Sequence, residues 1–237
     1  MSGSLGTSTP IVAVTGLVKE ARIAAGPGVR AIAGGGRPPT LIAALQRELA
    51  RGASAVISFG IAGGLAEDLA SGTWIVARAI VTPAGRWPCD AAWMRLLAER
   101  LPGAAIADLA GVDALITDPA AKRALHGATG AAAVDTESHI VAAIATAHGL
   151  PFAAFRVVAD SARRSLPPAA SVALAPDGRI SGGAVLGSLA RTPAQLPLLL
   201  RTAIDARTAF RALSRGRRLL GSGLAYPNLG ELLLDVS

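Results

Sequence analysis

Hydrophobic residues in this chain fall in short, mostly apolar blocks rather than in strict alternation with polar ones. The blocks at 11–15, 29–33, 55–59, 73–81, 131–134 and 151–158 predict strands buried on both faces. Between them the apolar spacing changes to that of helices. A helix begins around Lys19 and Glu20. A second spans 40–51 with Leu41, Ala44, Leu45 and Leu49 on one face, and others cover 91–100 and 137–148. Residues 198–218 close the pattern. Leu199, Ala203, Ala206, Phe210 and Leu213 form the apolar face of that helix, and Arg207, Arg211, Arg215 and Arg218 form a basic stripe. Strands alternating with helices imply βαβ units, so the expected fold is a single α/β domain over 11–220. It has a mixed, mainly parallel central sheet flanked by helices, with 1–10 and 221–237 as tails. Residues 165–197 are rich in Pro, Gly and Ser with weak periodicity, and read as a long loop beside a site.

Composition adds three constraints. Hydrophobic residues make up 51% but aromatics only 3%, so the core must be built from Ala, Val, Leu and Ile. The net charge of +7 is carried by arginine, with lysine only at 19 and 122. Such a charge permits attraction to nucleic acid, anionic lipid or phosphorylated substrates. The scarcity of aromatics argues against nucleic acid, because base stacking needs them. The lone Cys89 excludes an internal disulfide framework and fits a reducing, cytoplasmic compartment. The N-terminus lacks a signal-peptide pattern. The uncharged run 138–155 is interrupted by His139, His148 and Gly149-Leu150-Pro151, so it reads as a helix end and a buried strand, not a membrane span.

Two stretches carry candidate chemistry: Val134-Asp135-Thr136-Glu137-Ser138 and Arg156-Val157-Val158-Ala159-Asp160-Ser161. The first places Glu137 at the opening turn of a helix, where a cap is the plain alternative. The second places Asp160 at the C-terminal end of an apolar strand, the edge at which open α/β sheets gather ligands. An N-cap is its plain alternative. Gly60-Ile61-Ala62-Gly63-Gly64 reads as a turn whose backbone N–H groups can approach an anion or sugar. It lacks dinucleotide spacing, and no phosphate-binding GxxxxGK[ST] loop occurs. Gly34 to Gly36 with Arg37 is a weaker signal of the same kind. Arg163 and Arg164 are either solvated charges or an anion clamp. The three histidines lack metal-ligand spacing.

Taken in order, Ile11 to Glu20, Phe59-Gly60-Ile61-Ala62-Gly63-Gly64-Leu65, Val134 to Ser138 and Arg156 to Asp160 resemble the purine nucleoside phosphorylase and methylthioadenosine nucleosidase superfamily. Within it, Thr15-Gly16-Leu17, Glu20-Ala21-Arg22, Cys89 to Trp93, Asp135 to His139 and Leu166 to Ala170 are similar to the hopanoid-biosynthesis-associated phosphorylases. The resemblance implies cleavage of the N-glycosidic bond of an adenosine-type nucleoside, preferably adenosylhopane, by phosphorolysis. Inorganic phosphate would be the co-substrate, with no cofactor or metal. Asp160 would protonate the departing purine, and Glu20 would activate water if the reaction is instead hydrolytic. Glu137, Thr136, Asp135, Phe59, Gly60, Ala62, Gly63 and Arg163 would bind substrate, and Gly36, Arg37 and Arg22 phosphate. A nucleoside-binding module without catalysis is the third reading. Thr136 stands where the superfamily usually has Met, and Ala159 where it has Ser. The resemblance also implies a homodimer or larger assembly. A lipid-linked substrate would bring the basic closing helix and the Leu166-Pro167-Pro168 segment to an anionic membrane surface.

Overall fold

The computed structural model describes residues 9–35, 37–173, 175 and 178–227. Its strands are β1 (Ile11–Thr15), β2 (Val29–Ala33), β3 (Val56–Gly64), β4 (Trp74–Thr82), β5 (Gly85–Pro88), β6 (Ala105–Gly111), β7 (Ala133–Asp135) and β8 (Phe152–Asp160). The helices are α1 (Val18–Ala24), α2 (Pro38–Ala50), α3 (Ala91–Arg100), α4 (Pro119–Thr129), α5 (Ser138–Ala147), α6 (Pro168–Ala173), α7 (Gly182–Arg191) and α8 (Leu196–Leu220).

The apolar blocks dictate the layering. Every residue of β1 is buried, and strand side chains alternate between faces, so both faces need cover. Val12 and Val14 pack with Leu41 and Leu45 of α2 and Val141 of α5. Ile11 and Ala13 pack on the other face with Ala24 of α1, Trp93 and Leu97 of α3, and Leu213 of α8.

The sheet is mixed and mainly parallel, as the alternation predicts. Parallel pairs join β1 to β2 and β3, β3 to β8, β4 to β6 and β6 to β7. Antiparallel pairs join β3 to β7, β4 to β5 and β4 to β8. Followed round, β3, β8, β4, β6 and β7 close on themselves, which leaves none of these five with a free edge. Closure gathers the C-terminal ends of β3 and β8 beside that of β1.

Several expectations are corrected. Gly60 to Gly64 is not a turn but the second half of β3, held in the sheet by β8 and β7 on either side. The register slips between Ala62 and Gly63, so that Gly63 faces Asp160; such an irregularity re-aims side chains at a strand end. The expected loop at 165–197 contains α6 and α7. Among them α7 has no buried residue. β6 and α4 were not read from the sequence. The first is built from Ala and Gly with little strand preference, while α4 is opened by Asp118 as cap with Pro119 behind it. Residues 221–227, read as tail, are packed: Leu224 is buried and its carbonyl accepts from Trp93 Nε1 at 2.8 Å.

A close helix–sheet contact makes a test. Gly216 of α8 lies so near β8 that an added Cβ would sit 2.8 Å from Phe155 Cζ. Gly216→Ala is therefore expected to lower unfolding stability by about 1–3 kcal/mol, despite the better helix propensity of alanine, as measured by urea titration.

Candidate functional site

Glu20 lies in the first turn of α1 and faces inward. Its Oε2 accepts from Leu17 N at 2.8 Å, half of a capping box. Its Oε1 accepts from Ile61 N of β3 at 2.8 Å. Burial pushes this carboxyl up to about 7; Glu137 nearby adds to the rise and Arg156 opposes it. Gly60 is required at this point, because a Cβ there would lie 2.6 Å from both Glu20 Oε1 and Arg156 Nη1.

Asp135 ends β7 and takes over the capping of α5. It accepts from Glu137 N at 2.9 Å, Ser138 N at 2.7 Å and Ser138 Oγ at 2.5 Å. The side chain of Glu137 is thereby released from capping. Thr136 Oγ1 donates to Glu137 Oε1 at 2.7 Å, and Arg156 Nη2 stands 3.5 Å from Oε2. Burial raises the Glu137 carboxyl and Arg156 opposes. A Cβ on Gly16 would come within 2.8 Å of Glu137 Oε1, so the β1–α1 junction also needs glycine.

Arg156, mid-strand in β8 and fully buried, links these groups. Its Nε lies 2.9 Å from Asp135 Oδ2, and Nη2 donates to Ser58 Oγ at 2.7 Å and Ser138 Oγ at 3.2 Å. Asp160 ends the same strand. Burial raises its carboxyl, and the ammonium of buried Lys122 from α4, paired to Oδ2, opposes the rise.

These residues surround a cavity of about 220 Å³ whose lining includes Glu20, Asp135, Thr136, Glu137, Asp160, Ala62 and Gly63. Among the described residues, no Lys or Arg lines it. It opens through Leu17, Ile61 and Ala170 into a groove of about 980 Å³ walled by α1, α6 and α8, with Leu166, Leu199, Ala203 and Phe210 on its sides.

The structure thus brings together Glu20, Asp135, Thr136, Glu137, Ala62, Gly63 and Asp160. Others are placed elsewhere. Phe59 points into the core, its ring 5.4 Å from that of Phe155. Gly60 serves as a gap for Arg156 and Glu20 rather than as lining. Arg163 is exposed and paired with Glu67 at 2.6 Å. Arg22 borders only the outer groove, and Arg37 is exposed at the start of α2. Gly36 lies outside the described residues. His139 meets Asp113 at 3.1 Å and His126 the carbonyl of Ala131 at 2.8 Å. Among the described residues no cluster of three His, Cys, Asp or Glu is set to hold a metal. Arg156, Ser58, Ser138 and Lys122 were assigned no role from the sequence. An arginine inside the apolar run 152–158 was the available signal, since a buried guanidinium must find carboxylates.

The family model described as the phosphorylase superfamily matches residues 2–177. The chain belongs to the phosphorylase superfamily. Solved structures of similar shape include the S-adenosylhomocysteine nucleosidase of Streptococcus pyogenes in complex with 5-methylthiotubericidin. It has 17% identity and a TM-score of 0.65, with 95% of this chain and 100% of that one covered. The 5′-methylthioadenosine/S-adenosylhomocysteine nucleosidase of Helicobacter pylori with butyl-thio-DADMe-Immucillin-A aligns with 14% identity and a TM-score of 0.60, covering 88% and 97%. Futalosine hydrolase of Helicobacter pylori aligns with 15% identity and a TM-score of 0.59, covering 89% and 97%. At such identities the likeness concerns the fold. None of the curated proteins matches the chain. For this superfamily member, the expected nucleoside-phosphorylase-like fold is the one found.

The raised Glu20 carboxyl has a consequence for stability. The folded state holds this proton more tightly than the unfolded chain, so the stabilisation is complete below the ordinary value of 4.5 and is lost as pH rises through about 7. Glu20→Gln removes that loss. Its stability relative to the native chain is expected to rise by about 3 kcal/mol between pH 4 and 8, in denaturant titrations at each pH. A pH-independent difference would contradict the burial of the charge.

Proposed function

We propose that the protein hydrolyses the N-glycosidic bond of an adenosine-type nucleoside bearing a bulky apolar 5′ substituent. The observation that carries this reading is the charge of the inner cavity: four carboxylates line it, and among the described residues no cation does. A phosphate dianion would meet like charge there. Arg156, behind the lining, is already engaged by Asp135 and Glu137. Water suffers no such repulsion, and Glu20 has the basicity of a group that accepts a proton near neutrality. The expectation of phosphorolysis is therefore set aside in favour of the hydrolytic alternative.

In this scheme Glu20 takes a proton from water as its oxygen bonds to C1′ and the bond from C1′ to the base breaks. Asp160, its carboxyl raised by burial, gives a proton to the purine N7, so the base departs neutral. Glu137 accepts from the ribose hydroxyls and stabilises the positive charge that develops on the sugar. Thr136 holds Glu137 from the side.

The 5′ end would point into the outer groove, whose Leu, Ala and Phe walls suit hydrocarbon. A polycyclic substituent, as in adenosylhopane, is the occupant that the resemblance to hopanoid-associated relatives favours. Exposed Ile180, Leu186, Leu200 and Ile204 around this end support access from a lipid surface. No helix among the described residues is long and apolar enough to cross a membrane.

Purified protein given 5′-alkylthioadenosines is expected to release adenine at the same rate with and without phosphate. Strict dependence on phosphate would reverse the assignment of the nucleophile. Asp160→Asn is expected to lower kcat about 10²- to 10⁴-fold with little change in KM. Ala203→Phe, which narrows the groove, is expected to raise KM for long 5′-alkyl substrates about tenfold or more while sparing the methylthio compound. Equal effects on both would place the substituent elsewhere.

A further inference from the structure

Lys122 stands apart from the other basic residues of this chain. It is one of two lysines in a molecule that otherwise uses arginine, and its side chain is fully buried. All three Nζ hydrogens have acceptors: Asp160 Oδ2, the carbonyl of Ser161 at 3.0 Å and that of Arg164 at 3.1 Å. A guanidinium brings five N–H donors in a rigid fork and could not be satisfied by these three oxygens, whereas a compact ammonium can. Burying an ion pair is a poor way to gain stability, since the desolvation of both charges offsets their attraction. The pair is also asymmetric. Lys122 holds Oδ2, while Oδ1 of Asp160 has no hydrogen bond among the described residues, and Asp160 lines the cavity.

We propose that Lys122 is the positioning residue for Asp160: it clamps Oδ2 so that Oδ1 faces the departing base, and its charge sets the pH range over which that carboxyl serves as the acid. This rests on the reading of Asp160 as the group facing the base. The clamp joins α4 to the end of β8 and to the 161–164 segment, so the acid is fixed by an element the sequence pattern did not reveal. Glu20, Asp135 and Glu137 share the cavity of this carboxyl, and Lys19, Arg22 and Arg179 border the groove that it also lines. Asp205 of α8 acts on it in the raising direction and is itself 3.3 Å from Arg164. Neither supplies an ammonium to Oδ2.

The test compares two substrates in native protein, Lys122→Met and Lys122→Gln. The Gln variant retains a donor for the loop carbonyls and keeps the comparison available if the Met variant does not fold. One substrate is a 5′-alkylthioadenosine. The other is p-nitrophenyl riboside, whose leaving group departs as a stable anion and needs no proton. For the adenosine, kcat is expected to fall about 10²-fold with KM within about threefold. The upper limb of its pH profile is expected to move up by about one pH unit, as the lowering charge is lost. The aryl riboside rate is expected to stay within about threefold of native. Equal loss on both substrates, or an unmoved limb, overturns the proposal and leaves Lys122 a structural tie.

A second readout does not require turnover. Carboxyl ¹³C NMR, with the Asp160 signal assigned through Asp160→Asn, should show the titration of Asp160 moved upward in the lysine variants. If native protein cleaves neither substrate, the reading of the site fails. The NMR result then decides the role of Lys122 alone, and an unmoved titration refutes it.

Discussion

The burial of Arg156 is the constraint on which the site depends. A guanidinium in the middle of a strand packed on both faces loses its water, a cost of several kcal/mol that only close anions and hydrogen-bond acceptors can offset. Asp135 at 2.9 Å supplies the nearest anion, Glu137 a second at 3.5 Å, and Ser58 and Ser138 supply neutral acceptors. These partners come from β7, α5 and β3, so one cation ties together the elements that close the sheet. Gly60 follows from the same demand, because any side chain there would collide with both the guanidinium and Glu20. The glycines of this strand are packing requirements as much as ligand contacts.

The carboxylates around Arg156 are not equivalent, and their differences define what each can do. Asp135 has the shortest ion pair and accepts from two backbone N–H groups and one hydroxyl, so its lone pairs are committed. Glu20 has two backbone donors, and burial prevails, bringing it to about 7. A group so placed exchanges a proton near neutrality, whereas Asp135 is an organiser. More anions than cations converge on a small cavity, which favours positive charge developing there and disfavours an incoming anion. The adjoining groove is mostly apolar. In the proposed reading the two spaces would take the two ends of an amphipathic substrate.

Much of the frame was legible because it is written in short, mostly apolar runs. β1, β2 and the first half of β3 were readable this way, and α3 was marked by both ends. The second half of β3 was not, since Gly60-Ile61-Ala62-Gly63-Gly64 has the local signature of a turn and becomes strand only when β7 and β8 flank it. α6 and α7 were missed for another reason: α6 is only six residues long, and both lie in a segment whose Pro, Gly and Ser content has the look of a loop. Within the site, Glu20, Glu137 and Asp160 were picked out, and the fold brings all three to one cavity. The phosphate candidates Arg22 and Arg37 were chosen by charge alone, and surface exposure removes them from that cavity. Arg156 and Lys122 were overlooked because a single cation in a sequence carries no sign of its partners, which lie 18 to 98 residues away along the chain.

Thr136 shows how a local departure can be absorbed by the same network. Where the superfamily pattern has Met, an apolar side chain would add contact area without constraining its neighbour. Threonine gives up that area but places a hydroxyl 2.7 Å from Glu137 Oε1. Glu137 is then held by Thr136 on one oxygen and Arg156 on the other. Two anchors reduce the rotamer freedom that a buried glutamate would otherwise lose on meeting a ligand. They also occupy part of its accepting capacity, so a donor entering the cavity must use the remaining lone pairs, which restricts its approach. The substitution exchanges side-chain contact area for orientation of the carboxylate. That exchange suits a protein whose larger apolar contacts lie in the outer groove.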